Sequence, residues 1–225
     1  MTSVQVYQLY LQSLSFKNYC YIIVDTATNL TAIIDPAWEL DTIELALNKL
    51  NAKLVMILLT HSHPDHVDLV HPLLEKYQTQ VVMSAKEINF YGFSCKNLTP
   101  IENNDFLKLG NTMIKCLLTP GHTAGSVCFL VSDSYLFTGD TIFIEGCGIC
   151  NTDGGNAEEM YHSIQMIKKT VPPDILVYPA HSYGKKPGYP LSYLFKENIY
   201  FQINKLEHFI AFRMRKNQPN PLQFY

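Results

Sequence analysis

The stretch Leu59-Thr60-His61-Ser62-His63-Pro64-Asp65-His66 places four groups able to hold a metal within six positions, directly after the apolar run Leu54–Leu59. At the end of a buried strand, such a set cannot spread along a helix face and must converge on a tight loop. Imidazole nitrogens and carboxylate oxygens are the donors that zinc takes, and to a lesser degree iron and manganese. Three further segments each add one candidate: His122 in Thr119-Pro120-Gly121-His122-Thr123-Ala124-Gly125-Ser126, Asp140 in Phe137-Thr138-Gly139-Asp140-Thr141, and His181 in Val177-Tyr178-Pro179-Ala180-His181-Ser182. Each lies just beyond a short β-like run, as when a site is built on loops at one edge of a sheet. Together the segments point to one binuclear metal site.

The elements that must position these loops alternate between strand and helix patterns. Val4–Gln12, Tyr19–Asp25 and Thr31–Asp35 read as a meander of strands, the last closed by Asp35-Pro36. Leu40, Ile43, Leu45, Leu47 and Leu50 have near-helical spacing, predicting a helix over about 39–50. A second helix is expected from about Val67 to Tyr77, with His71 in it as a structural or exposed residue. Gln80–Ser84 is another strand, and Phe106–Leu130 holds two or three more. Ala157–Thr170 reads as a helix with Met160, Ile164 and Ile167 as its core stripe and His162 off it, in solvent. Gly184–Pro190 is too rich in Gly and Pro for a helix, and about 192–217 reads as a C-terminal helical segment of one or two helices.

Composition bounds the function. The 225 residues suffice for a single domain, 1–225, whose core needs no covalent staples. No apolar stretch approaches the roughly 18 residues of a membrane span, and no signal peptide is visible. A net charge of −3 argues against a general nucleic-acid binder, since phosphate affinity comes mainly from clustered Lys and Arg. Six cysteines without a compact framework suggest reduced thiols and a cytoplasmic protein. Cys147 and Cys150 form a C-x-x-C pair, read as small buried residues of a Gly-rich loop, with a redox pair or an extra ligand as the alternative.

The motifs H-x-H-x-D-H (His61–His66), G-H-T-x-G-S (Gly121–Ser126) and Thr138–Gly148 resemble those of the metallo-β-lactamase-fold hydrolases, within them the glyoxalase II-like branch. Val6–Tyr10 and Gly146–Cys150 resemble more narrowly the zinc-dependent hydrolases of bacterial polyketide biosynthesis. The resemblance implies an α+β chain folded as an αββα sandwich. It implies two Zn2+, with iron or manganese as alternatives: one held by His61, His63 and His122, the other by Asp65, His66 and His181, with Asp140 bridging.

On that basis a hydroxide stands between two cations at neutral pH, because metal binding lowers the pKa of water towards about 7. Asp65 and Asp140 orient it, and no separate base is needed. A thioester suits such a site, since its thiol leaves as a thiolate of pKa about 8.5 and needs no proton donor. Thr60, Thr119, Thr138 and Thr141 flank the ligands, as hydrogen-bond partners of the imidazoles or as ordinary β-formers. Glyoxalase II enzymes follow G-C-G with a basic residue. Ile149 stands there in this chain, which puts a glutathione thioester in doubt and favours an acyl group on a carrier protein or coenzyme A. Lys185, Lys186, Arg213, Arg215 and Lys216 would form a basic rim for that carrier, or are simply solvated. The alternatives are a hydroxyacylglutathione hydrolase, a mononuclear iron persulfide dioxygenase and a non-catalytic scaffold in a biosynthetic complex. The partners expected are thus an acyl thioester and an acyl carrier protein, with no nucleic acid and no membrane.

Overall fold

The computed structural model describes residues 4–14 and 16–216. Two six-stranded sheets face each other. The first runs β1 (Val4–Ser13), β2 (Phe16–Asp25), β3 (Leu30–Ile34), β4 (Lys53–Leu58), β5 (Gln80–Ser84), β6 (Leu98–Ile101), in that spatial order. The other contains β7 (Phe106–Leu109), β8 (Thr112–Leu118), β9 (Val127–Val131), β10 (Tyr135–Gly139), β13 (Leu176–Pro179) and β14 (Tyr189–Pro190), ordered β14-β13-β10-β9-β8-β7; β11 (Ile142–Phe143) and β12 (Gly146–Cys147) form a small hairpin apart.

Helices cover both outer faces. On the first sheet lie α1 (Leu40–Lys49), α2 (Pro64–Val67), α3 (Val70–Lys76) and α4 (Ala85–Tyr91); on the second lie α5 (Ala157–Thr170), α6 (Leu191–Glu197), α7 (Ile199–Gln202) and α8 (Leu206–Arg213). Three apolar layers result. Ile43 and Leu47 of α1 pack on Ile22, Ile33 and Ile57; Tyr21, Phe129 and Phe137 fill the space between the sheets; Met160, Ile164 and Ile167 of α5 meet Leu136 and Val177. This is the αββα sandwich, in which each strand alternates its side chains between two buried layers. None of the helices of the described residues is long and apolar enough to cross a membrane.

The structure departs from the sequence expectations in several places. The helix expected from Val67 to Tyr77 is two pieces, α2 and α3, and α2 carries Asp65 and His66 themselves. Pro64 at its first position, where the missing N–H costs nothing, starts that turn within the ligand motif. Helix α4 and strand β6 were not legible in the pattern. The C-terminal segment is three short helices, and its expected end at residue 217 lies outside the described residues. Finally, Arg213 is not a rim cation: it is 7% exposed, donating from Nη1 to the Tyr200 hydroxyl at 3.0 Å and lying 5.6 Å from that ring's centroid. Its place on the buried side of α8 made it part of the core.

The sheets bring the candidate residues to one edge. The motif of His61–His66 leaves β4, His122 follows β8, Asp140 follows β10 and His181 follows β13. β4 and β13 are each parallel to a neighbour (β3 and β10), so their carboxyl ends open at a common border where loops can converge. Backbone bonds tie that border: Val127 N donates to Thr60 O at 2.9 Å, and Tyr19 N to Ala180 O at 2.7 Å.

Candidate metal centre

The structure brings all seven candidate residues together, in overlapping groups whose ligand atoms lie within 4.8 Å of one another: His61, His63 and His122; Asp65, His66 and His181; and His61, His66 and Asp140. In the first group His63 Nδ1 stands 3.0 Å from both His61 Nε2 and His122 Nε2. In the second, Asp65 Oδ2 is 3.6 Å from His66 Nε2 and from His181 Nε2. Asp140 lies between them. Its Oδ2 is 3.5 Å from His122 Nε2, while Oδ1 is 3.3 Å from His181 Nε2 and 3.6 Å from His66 Nε2.

Each imidazole except His63 is fixed by a bond from its other nitrogen. His122 Nδ1 donates to the Ile149 carbonyl at 2.8 Å and His181 Nδ1 to the Lys17 carbonyl at 3.0 Å. His66 Nδ1 donates to Asp35 Oδ2 at 2.9 Å. His61 Nδ1 donates to Thr60 Oγ1 at 3.1 Å, and that hydroxyl passes its own proton to Asp35 Oδ2 at 2.6 Å. With Nδ1 tied in this way, Nε2 of all four faces the centre, the arrangement that orients metal-binding histidines. Buried His66 Nε2 makes no hydrogen bond at all. A buried ring nitrogen aimed at two carboxylates beyond hydrogen-bond reach is what a cation between them would explain. The donor set, imidazole and carboxylate with no thiolate, fits divalent zinc or iron.

The two groups differ electrically. Burial pushes His61 well below the usual imidazole range and His122 down to about 4, and lowers His63 as well. The first group is therefore neutral. In the second, burial opposes charge on His66, but Asp65 and Asp35 prevail and raise it to about 10. His181 is raised too: burial works against its charge and Asp140 overcomes it. Burial alone would lift the Asp140 carboxyl, yet His181, His66 and His122 hold it well below its ordinary value.

Several residues that the motifs did not reveal hold this arrangement. Asp35, at a left-handed φ of 49° after β3, bonds His66 directly and His61 through the Thr60 hydroxyl. Glu87 of α4 is fully buried; its Oε1 accepts Ser62 N and Oγ at 2.8 and 2.7 Å, and its Oε2 accepts Thr123 Oγ1 and Gly125 N at 2.8 and 2.9 Å. It thus joins the loops that carry His61, His63 and His122. Asn18 Nδ2 donates to Asp65 O at 2.7 Å and lies 3.3 Å from Asp65 Oδ2. Asn198 Nδ2, fully buried, faces the carbonyls of Phe143, Ile144 and Gly146 and pins the β11–β12 hairpin after Asp140. Gly148 has a direct steric reason: a Cβ there would collide with the Asp140 carbonyl and come within 2.9 Å of His122 Nδ1.

Of the flanking threonines only Thr60 touches an imidazole. Thr119 bonds Thr141 at 3.0 Å, and Thr138 donates to the Ile142 carbonyl at 2.7 Å. Cys147 and Cys150 are buried free thiols, raised by burial, Cys147 to about 12, and neither belongs to a ligand group. His71 and His162 are exposed, as are Lys185, Lys186, Arg215 and Lys216.

The αββα sandwich and seven-residue edge cluster define a class, and the chain belongs to it: the Metallo-beta-lactamase superfamily profile matches residues 16–181. Within it the chain is 52% identical over 209 residues to the "Probable polyketide biosynthesis zinc-dependent hydrolase PksB" of Bacillus subtilis, covering 93% of this chain and 92% of that one. It is 50% identical to the corresponding BaeB of Bacillus velezensis, over 98% of this chain and 97% of that one. A hydroxyacylglutathione hydrolase of Buchnera aphidicola is 34% identical over 90% of this chain and 76% of its own. Among solved structures, ETHE1 from Myxococcus xanthus superposes with a TM-score of 0.83 at 30% identity, covering 98% of this chain and 94% of that one.

Proposed function

We propose that this chain is a binuclear zinc-dependent hydrolase of acyl thioesters, acting in polyketide biosynthesis on carrier-protein or coenzyme A thioesters. The observation that carries it is the position of Asp140, with one carboxylate oxygen turned to each ligand group. A mononuclear centre has no use for the second group. In this reading His61, His63 and His122 would hold one cation, Asp65, His66 and His181 would hold the other, and Asp140 would serve both. The relatives named as polyketide biosynthesis zinc-dependent hydrolases, similar over nearly the whole chain, support the metal, the reaction class and the pathway.

Two divalent cations held there supply an activated water at neutral pH and a Lewis acid for a carbonyl. The chain's own residues do the rest. Asp65 and Asp140 are, with His63, the less buried members of the cluster, so water and substrate enter beside them. Their oxygens accept hydrogen bonds from an attacking water and set its direction. The four Nδ1–H bonds keep the imidazoles from turning, so the donor geometry costs nothing to reorganise during reaction. Tyr183, stacked on Phe143 at 4.6 Å between centroids, has its phenol pushed up to about 12 by burial and the Asp140 charge, so it stays protonated. A departing thiolate asks for no proton, so this set is complete for a thioester. We further propose that the chain works as one domain in the cytoplasm, where its free thiols stay reduced.

The test is thiol release from acyl thioesters of glutathione, coenzyme A and a carrier protein, matched in acyl group and concentration. Preference for the carrier-protein or coenzyme A thioester is expected. Preference for the glutathione thioester would mean a hydroxyacylglutathione hydrolase. No release, together with oxygen consumption on a persulfide, would mean a dioxygenase, the activity named for the ETHE1 relative of Homo sapiens, which is 30% identical.

A further inference from the structure

At the free edge of the first sheet, Gln8 and Tyr10 of β1, Tyr19 of β2, and Ser182 and Lys186 of the loop after β13 line a groove of about 270 Å3. The Tyr10 and Tyr19 rings, 4.9 Å apart at their centroids, give it an apolar wall. The Tyr19 phenol bonds the Ser182 side chain and so joins the two sides. Register places Lys17 opposite Gln12, one same-face step beyond the Tyr10–Tyr19 pair, because strand residues two apart share a face. The groove lies beside the metal edge: Ser182 follows His181, whose Nδ1 donates to the Lys17 carbonyl, and Tyr19 N donates to Ala180 O. Its volume sits just below the roughly 300–1,000 Å3 of sites that enclose whole ligands, which suits a slender chain.

We propose that this groove seats the phosphopantetheine arm shared by coenzyme A and carrier proteins, an inference that rests on the thioester reading above. The arm is a thin chain with two amides and a phosphate. Tyr10 and Tyr19 pack its methylenes, Gln8 and Ser182 meet its amides, and Lys186 at the exposed end takes the phosphate. The thioester end then lies toward His181. Glutathione offers no phosphate to Lys186.

The experiment compares Lys186→Glu and Tyr10→Ala with the unaltered chain on three thioesters of one acyl group: those of coenzyme A, a carrier protein and N-acetylcysteamine, which lacks the phosphate and the distal amide. Both residues are exposed, so the variants fold, as circular dichroism would verify. Lys186→Glu is expected to raise KM about tenfold for the coenzyme A and carrier-protein thioesters, the effect of losing one charge-assisted phosphate contact. The kcat values and the N-acetylcysteamine kinetics stay as they were. A rise for the carrier protein alone, with coenzyme A unaffected, would show a protein–protein contact and overturn the arm site. Equal KM for variants and unaltered chain, where that chain still prefers the long thioesters, would sink the groove and leave the thioester reading standing. Failure of the unaltered chain to cleave any of the three would remove both.

Discussion

The two ligand groups share Asp140 but are built differently. His61, His63 and His122 are neutral and close, with ring nitrogens 3.0 Å apart. Asp65, His66 and His181 are spread to 3.6 Å and, without a cation, are held as ion pairs. The first group offers lone pairs as it stands. The second must release protons to accept a metal, since ligating imidazole is neutral. One half of the centre is therefore a ready receptor and the other a proton-coupled one.

The largest effect that would break this comparison comes from removing a ligand. His63→Ala or Asp65→Ala should lower kcat by on the order of a thousandfold, as when charge stabilisation at a reacting centre is lost. Circular dichroism should remain that of a folded chain. Near-normal turnover in either would mean the site lies elsewhere.

Acidity should separate the groups next. A histidine with a raised pKa stabilises the fold fully below about 6.5, a contribution lost as pH climbs through the folded value. His66 has that folded value at about 10, so its proton is present at neutral pH and a cation must displace it. Apparent affinity for the second cation should thus rise about tenfold per pH unit between pH 6 and 8. Affinity for the first should stay flat, because His122 titrates at about 4. Titration calorimetry at several pH values reads both slopes, and parallel slopes would deny the difference.

Asp35→Ala should weaken both sites, by about 10–100-fold in metal affinity, the usual cost of removing the partner of a ligating histidine. Glu87→Gln and Asn18→Ala should act on one group each, by about tenfold or less. Glu87 bonds Ser62, between His61 and His63, and the loop of His122, whereas Asn18 bonds Asp65. If the two variants weakened the same cation, the division between the groups would be wrong.

How much of this was legible in the sequence follows the same division. The candidate ligands announce themselves because chemistry restricts them to His and Asp at fixed steps after strands, whereas apolar runs and the stripe of α5 give only an α and β chain and the layering came with the family resemblance. The residues that hold the ligands do not. Asp35 looks like a turn aspartate after β3, and Glu87 sits in Ala85-Lys86-Glu87, a segment that reads as solvated surface. Helix α4 is seven residues long, too short for a periodic stripe, and its start rests on Ser84 accepting from Glu87 N. His122 and His181 lean on the carbonyls of Ile149 and Lys17, which any residue would supply. Arg213 reads as surface because it stands beside Arg215 and Lys216, whereas Tyr200 and the Cys147 carbonyl give it a buried partner set.

Asp140, turned to both groups, should join two cations in one hydrolytic centre. Metal-free protein should be titrated with zinc while thioester hydrolysis is followed. Activity should level off at two zinc per chain, and Asp140→Asn should bind the first ion but gain almost no activity from the second. Full activity at one ion per chain would contradict it.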